Sequence, residues 1–186
     1  MALMRLFLGL DLPTEVVRNL EALAGRLRAT ARIHWSPPAN LHITTKFIGE
    51  WPEERLPELR TALATVPSRP AFVIDIRNVG FFPDERAPRV FWCGVHAPEL
   101  PPLATDTAEA TASLGIAREA RIYSPHLTLA RIKDRVNLRP LRQAIQGLES
   151  HDFGSFTARS FFLYQSQLRS AGSVYTKLAE YPFIRQ

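Results

Sequence analysis

The chain of 186 residues carries 23 Lys and Arg against 18 Asp and Glu, for a formal net charge of +5, with 46% hydrophobic and 22% charged residues. This is the composition of a globular protein that buries its own core, not of a disordered or fibrous chain, and the length suits one domain, 1–186, with room for two lobes. The lone Cys93 excludes an internal disulfide and gives no sign of an oxidising compartment, while the basic balance suits a polyanionic partner such as RNA, a weak argument because an Arg-rich, Lys-poor composition also follows from codon bias.

In chain order, the apolar residues 3–10 predict a buried strand. Asp11 breaks that run within ten residues, so a strand is expected there and not a signal peptide. No stretch approaches the ~20 apolar residues of a membrane-spanning helix, and a cytoplasmic protein is expected. Pro13 or Thr14 opens a helix to about Thr30, with Val16, Val17, Leu20, Leu23 and Leu27 at helical spacing. Residues 31–36 suit a short strand, Pro37-Pro38 forces a turn, and a strand follows to Gly49. Glu53–Val66 reads as a second helix with acidic residues in its first turn. Phe72–Ile76 and Val79–Phe82 read as strand, 83–88 as loop, and Val90–Val95 as a hairpin partner. A helix over about 100–114 ends at Gly115, a strand spans about 125–132, and a helix runs from Leu138 to about Leu148. Residues 152–158, 160–168 and 173–181 complete the strands. The order predicts an α+β fold with antiparallel sheets.

Two strands echo each other. Leu41-His42-Ile43-Thr44-Thr45-Lys46-Phe47-Ile48-Gly49 and Pro125-His126-Leu127-Thr128-Leu129-Ala130-Arg131-Ile132 each carry a His, an apolar residue and a Thr within a β-prone run. Side chains alternate along a strand, so His42 shares a face with Thr44, and His126 with Thr128. Two such pairs facing one cleft would hold an anion between two proton-transfer groups. Histidine, with a reference pKa of about 6.5, is the natural acid or base near neutral pH.

With these motifs, the chain resembles the bacterial and archaeal RNA 2′,3′-cyclic phosphodiesterases, also called 2′-5′ RNA ligases, of the two-histidine phosphoesterase superfamily. The likeness runs nearly end to end. It takes in Arg5-Leu6-Phe7-Leu8-Gly9-Leu10, Trp35, Asn40 to Gly49, Gly80-Phe81-Phe82-Pro83, Arg89-Val90-Phe91-Trp92, Tyr123 to Arg131 and Leu163-Tyr164-Gln165-Ser166. Ile43, Thr45 and Ile48 stand where Leu is more usual in the family, and none carries a reacting group. The resemblance implies two pseudo-symmetric lobes, with antiparallel sheets lining a central cleft and helices outside. It also implies His42 as proton donor, His126 as proton acceptor, Thr44, Thr128 and Arg131 as phosphate or substrate contacts, and RNA with 2′,3′-cyclic phosphate ends as partner, tRNA fragments being candidates. A monomer is expected.

Opening a cyclic phosphodiester needs a base for the attacking water, an acid for the leaving ribose oxygen, and donors for the non-bridging oxygens. The two histidines supply the first two, and the Thr hydroxyls with Arg131 the third. Strict alternation, however, turns Arg131 away from His126 and Thr128; a bulge or strong twist near Ala130 would bring it back, and an outward-facing Arg is the plainer alternative. Phe47, Tyr123 and Trp35 are candidates to stack on a base, with core or rim packing as the plainer role. Cys93 reads as a core residue, and His34, His96 and His151 as structural or solvated.

No His-Glu-x-x-His, Cys-x-x-Cys or His-x-His spacing occurs, and no Gly-x-x-x-x-Gly-Lys loop, so neither a metal, a cofactor nor ATP is expected. The resemblance implies that a 5′-hydroxyl in place of water gives a 2′-5′ linkage. Two other readings are a phosphodiesterase for a small nucleotide cyclic phosphate and a non-catalytic RNA-binding module. Turnover of a cyclic-phosphate substrate separates the last from the rest.

Overall fold

The computed structural model describes residues 2–170 and 172–184. Among them, nine strands and four α-helices follow one another as β1 (Leu3–Leu10), α1 (Thr14–Leu27), β2 (His34–Trp35), β3 (Ile43–Pro52), α2 (Leu56–Leu63), β4 (Phe72–Phe82), β5 (Val90–His96), α3 (Leu100–Ala112), β6 (His126–Arg131), α4 (Arg139–Gln146), β7 (Asp152–Ala158), β8 (Ser160–Arg169) and β9 (Gly172–Pro182). Helix α1 buries Val16, Leu20, Leu23 and Leu27 along one face, with Glu15 in its first turn and Arg26 in its last, each suited to the helix dipole. It ends three residues short of Thr30, where the chain tightens into a 3-10 turn over Arg28–Thr30. The predicted helix at Glu53 likewise starts as a 3-10 turn, and α2 proper begins at Leu56. The strand predicted over Phe72–Ile76 continues through Val79–Phe82, as one bent strand, β4. It is kinked where the register slips between Ile76 and Val79 and Asn78 takes a φ of 65°.

The strands form two antiparallel sheets, of order β3-β1-β8-β9 and β2-β6-β5-β4-β7. The two share a plan. In each, the motif strand (β3 or β6) pairs with the strand that opens its half of the chain (β1 or β5). A strand supplied by the other half comes next (β8 from the second, β4 from the first). Strand β2, which precedes the first motif, joins the sheet of the second.

One core joins α1 and α4 to the second sheet, with Leu20, Leu27, Ile74, Ile76, Phe91, Leu127 and Leu141 fully buried. A second core packs Leu6, Leu8 and Leu163 of the first sheet against Leu59 and Leu63 of α2. With helices covering those faces, the opposite faces of the two sheets are left for the motif residues. No helix among the described residues is long and apolar enough to cross a membrane.

Candidate active site

His42 stands at the threshold of β3, directly after a 3-10 turn over Pro38–Asn40, and its Nδ1–H donates to the Asn40 carbonyl at 2.7 Å. His126 opens β6, and its Nδ1–H donates to the Ser124 carbonyl at 2.8 Å. A carbonyl only accepts, so Nδ1 holds the proton in both rings and Nε2 is the nitrogen left for chemistry. The same local device, a bond to the carbonyl two residues back, thus sets both tautomers.

Each motif strand then bulges at the same place. Against β1, Thr44 pairs with Gly9, Lys46 with Leu8 and Phe47 with Phe7, so Thr45 is the extra residue. Against β5, Thr128 pairs with Trp92, Ala130 with Phe91 and Arg131 with Val90, so Leu129 is the extra residue. A one-residue bulge inverts the alternation beyond it. Arg131 therefore returns to the face of His126 and Thr128, by the irregularity expected near Ala130. The counterpart of Arg131 on β3 is Phe47.

Both Thr carbonyls accept a hydroxyl from elsewhere in the fold: Tyr123 Oη donates to Thr44 O at 2.9 Å, and Ser36 Oγ to Thr128 O at 2.8 Å. Lys46, buried beside Leu8, donates to Ala117 O at 2.5 Å and to Glu119 Oε2 at 2.8 Å. The segment leading to His126 is thereby tied to the strand that carries Thr44.

The surroundings of the two imidazoles differ. The His42 ring lies 4.6 Å from Phe7 and 5.0 Å from Tyr175 between centroids, and Phe7 stacks on Tyr164 at 5.0 Å. Burial lowers the His42 pKa from histidine's ordinary 6.5. The Asn40 carbonyl and the Asp11 carboxylate pull it back up, and the charges of Arg131 and His126 push it further down. Arg131 and His126 thus lie within electrostatic reach of His42. Asp11 accepts from Tyr164 Oη at 2.5 Å and pairs with Lys177. Together with Asn40, His42 and Tyr175 these side chains line a cleft of about 390 Å³. His126 has one aromatic neighbour among the described residues, Phe82, edge-on at 5.0 Å, which in turn lies 5.1 Å from Trp92. A Cβ at Gly80 would lie 2.3 Å from the Trp92 ring, so only glycine fits beneath it.

Of the candidate stacking residues, Trp35 packs edge-on against Phe91 at 5.9 Å, and Tyr123 spends its hydroxyl on Thr44. Phe47 alone of the three is exposed, at 62%. Cys93 is fully buried with its thiol pushed up to about 12 by burial, so it offers no thiolate. His34 is exposed and sits in register beside Arg131, His96 ends β5, and His151 precedes β7. Asp11, Tyr175 and Lys177 were not singled out by sequence reasoning. Asp11 shows only as the polar residue that stops the first apolar run, and β9 gives no local signal that it comes back beside His42. No cluster of three or more His, Cys, Asp or Glu placed to hold a metal occurs among the described residues.

Two imidazoles whose Nε2 atoms have no hydrogen-bond partner among the described residues, each beside a Thr on one strand face, with an Arg on one wall, can give and take protons around a phosphoryl group. Comparison with known proteins agrees in class. The LigT-like phosphoesterase family model matches residues 10–92 and 95–175. A Methanocaldococcus jannaschii protein named RNA 2′,3′-cyclic phosphodiesterase is 34% identical over 179 residues, covering 96% of this chain and 100% of that one. One of the same name from Archaeoglobus fulgidus is 34% identical over 176 residues, covering 94% and 98%. A crystal structure from Thermus thermophilus superposes with a TM-score of 0.80 at 30% identity, covering 97% and 98%. That of Escherichia coli LigT complexed with 3′-AMP does so at 0.77 and 25%, covering 98% and 99%. The chain belongs to the LigT-like phosphoesterase family of the two-histidine superfamily.

Proposed function

We propose that this chain hydrolyses RNA 2′,3′-cyclic phosphate ends to 2′-phosphomonoesters. The observation that carries the proposal is the matched presentation of His42 and His126, each with Nδ1 bonded to a carbonyl and Nε2 free, each followed by a Thr on its face. The relatives named RNA 2′,3′-cyclic phosphodiesterase support the substrate class. In this reading His126 Nε2 takes the proton of the attacking water. The new oxygen–phosphorus bond forms opposite the 3′-oxygen, and His42 Nε2–H protonates that oxygen as its bond to phosphorus breaks. The Thr44 and Thr128 hydroxyls and the Arg131 guanidinium neutralise the non-bridging oxygens. A 5′-hydroxyl taking the place of water gives a 2′-5′ linkage in the same step, driven by the cyclic ester's own strain. The reading treats residues 1–186 as one bilobal domain, a cytoplasmic monomer that needs no metal or cofactor, and tRNA fragments as candidate substrates.

The test is kinetic. His42→Ala and His126→Ala should each lose ~10²–10⁴-fold in rate, and the double variant less than the product of the two, because both act in one step. Near-wild-type turnover by either folded single variant removes that histidine from the mechanism.

A further inference from the structure

Strand β2 is two residues long, yet it joins the sheet of the second motif, where His34 pairs with Arg131 and Trp35 with Ala130. The core settles which way these side chains point. Ile33 and Trp35, on either side of His34, pack against it, and Ala130 and Ile132, on either side of Arg131, are buried in it. Alternation then sends His34 and Arg131 out from the opposite face, which is the face of His126 and Thr128. Both are exposed, and they are cross-strand neighbours.

A histidine is an odd neighbour for that arginine. Opposite a cation on an exposed strand face, a carboxylate stabilises and a further basic group does not. No salt bridge among the described residues takes in His34 or Arg131. Arg32 and Lys133, two residues further along each strand, are exposed as well, and Asp134 is the one carboxylate in either adjoining stretch. The edge of the second wall is therefore a set of basic donors that the fold leaves unneutralised, an arrangement that favours an anion from outside.

The register says which anion. Along β5 the partners of His126, Thr128 and Arg131 are Gly94, Trp92 and Val90, two residues apart each time, or about 6.6 Å per step. His34 shares the third level with Arg131. The Arg131 side chain is long enough to reach back to a phosphate held at His126 and Thr128. The short imidazole of His34 stays at its own level, one step further out. A ribose spans such a step. An RNA end whose cyclic phosphate lies at the first two levels therefore brings its next phosphate, on the 5′ side of the terminal nucleotide, to the third.

Resting on the phosphoesterase reading above, we propose that His34, beside Arg131, binds the first internucleotide phosphate of an RNA end. The residue then makes the protein prefer oligonucleotide over mononucleotide cyclic phosphates.

Binding to the full chain is followed by calorimetry with three probes that carry the product's 2′-phosphate. These are 2′-AMP, the dinucleotide ApA 2′-phosphate, and the same dinucleotide with a methylphosphonate link, which removes the internucleotide charge. The wild type should bind the charged dinucleotide about 2- to 12-fold more tightly than the methylphosphonate, the range of one net hydrogen bond. His34→Ala should shrink that difference to within about twofold by weakening the charged dinucleotide, and leave 2′-AMP within about twofold. His34→Arg should keep or widen the difference. Equal wild-type affinity for the two dinucleotides overturns the subsite, as does a His34→Ala variant that keeps the difference or weakens all three probes alike. If cyclic-phosphate ends are hydrolysed while binding ignores the internucleotide charge, the subsite alone falls. If His34 governs the difference but no cyclic phosphate is hydrolysed, the phosphodiesterase reading alone falls.

Discussion

His42 and His126 present the same nitrogen by the same carbonyl bond, yet only His42 is wedged among Phe7, Tyr164 and Tyr175. Its burial, with the Arg131 guanidinium facing it, favours the neutral ring and holds its pKa below histidine's ordinary 6.5. In the proposed mechanism this ring must carry a proton, and the charge that helps it do so is the substrate's own, since a phosphodiester anion beside an imidazolium stabilises it. The kcat/KM profile, which reports the free enzyme, should be bell-shaped with one limb below 6.5. The corresponding limb of kcat, which reports the complex, should lie at higher pH. Rate measurements from about pH 4.5 to 9 check this, and a limb that stays put or moves to lower pH in the complex contradicts the donor role of His42. Because the two rings interact, the apparent values belong to the pair.

At the scale of elements, two short strands do most of the positioning, and how they do it marks the limit of what could be read beforehand. The strands, their His-x-Thr spacing and the antiparallel α+β plan were legible, because apolar periodicity and Pro or Gly punctuation are local signals. The need for an irregularity before Arg131 was legible too, from the conflict between alternation and chemistry. Its twin at Thr45 was not, since no residue on β3 needed rescue and register is fixed by the partner strand, not by the motif. The cleft side of His42 was hidden for the same reason: Asp11, Tyr175 and Lys177 meet only once β9 has paired with β8 and β8 with β1. Gly9 makes the close approach of β1 and β3 possible, because a Cβ there would lie 2.7 Å from the Ile43 carbonyl oxygen and 3.7 Å from His42 Cδ2. Gly9→Ala should cost about 1–3 kcal/mol of stability through overpacking and, by shifting His42, up to about 10²-fold in kcat. Urea unfolding and single-turnover rates check it, and a variant as stable and as fast as wild type would show that the contact is not felt.

At the scale of the molecule, the two halves are laced together. β8 comes from the second half to complete the first sheet and β4 from the first half to complete the second, while β2 brings Ser36 to the Thr128 carbonyl. In return, Tyr123 reaches the Thr44 carbonyl and Lys46 holds Ala117 and Glu119 in the segment that leads to His126. Such lacing fixes the spacing of two imidazoles that belong to different sheets. Lys46→Met leaves the Ala117 carbonyl without its donor and should cost about 1–3 kcal/mol in urea unfolding, whereas Glu119→Gln, at a partner 45% exposed, should cost less than about 1 kcal/mol. A larger loss in Glu119→Gln would reverse the account of which end anchors the tie. Whether two histidines from two laced sheets open a cyclic phosphate is read from the product. A defined oligonucleotide ending in a 2′,3′-cyclic phosphate, incubated with the protein in EDTA, should yield the 2′-phosphomonoester with wild type and almost none with His42→Ala or His126→Ala. A 3′-phosphate product, a requirement for added metal, or turnover indifferent to both substitutions would contradict it.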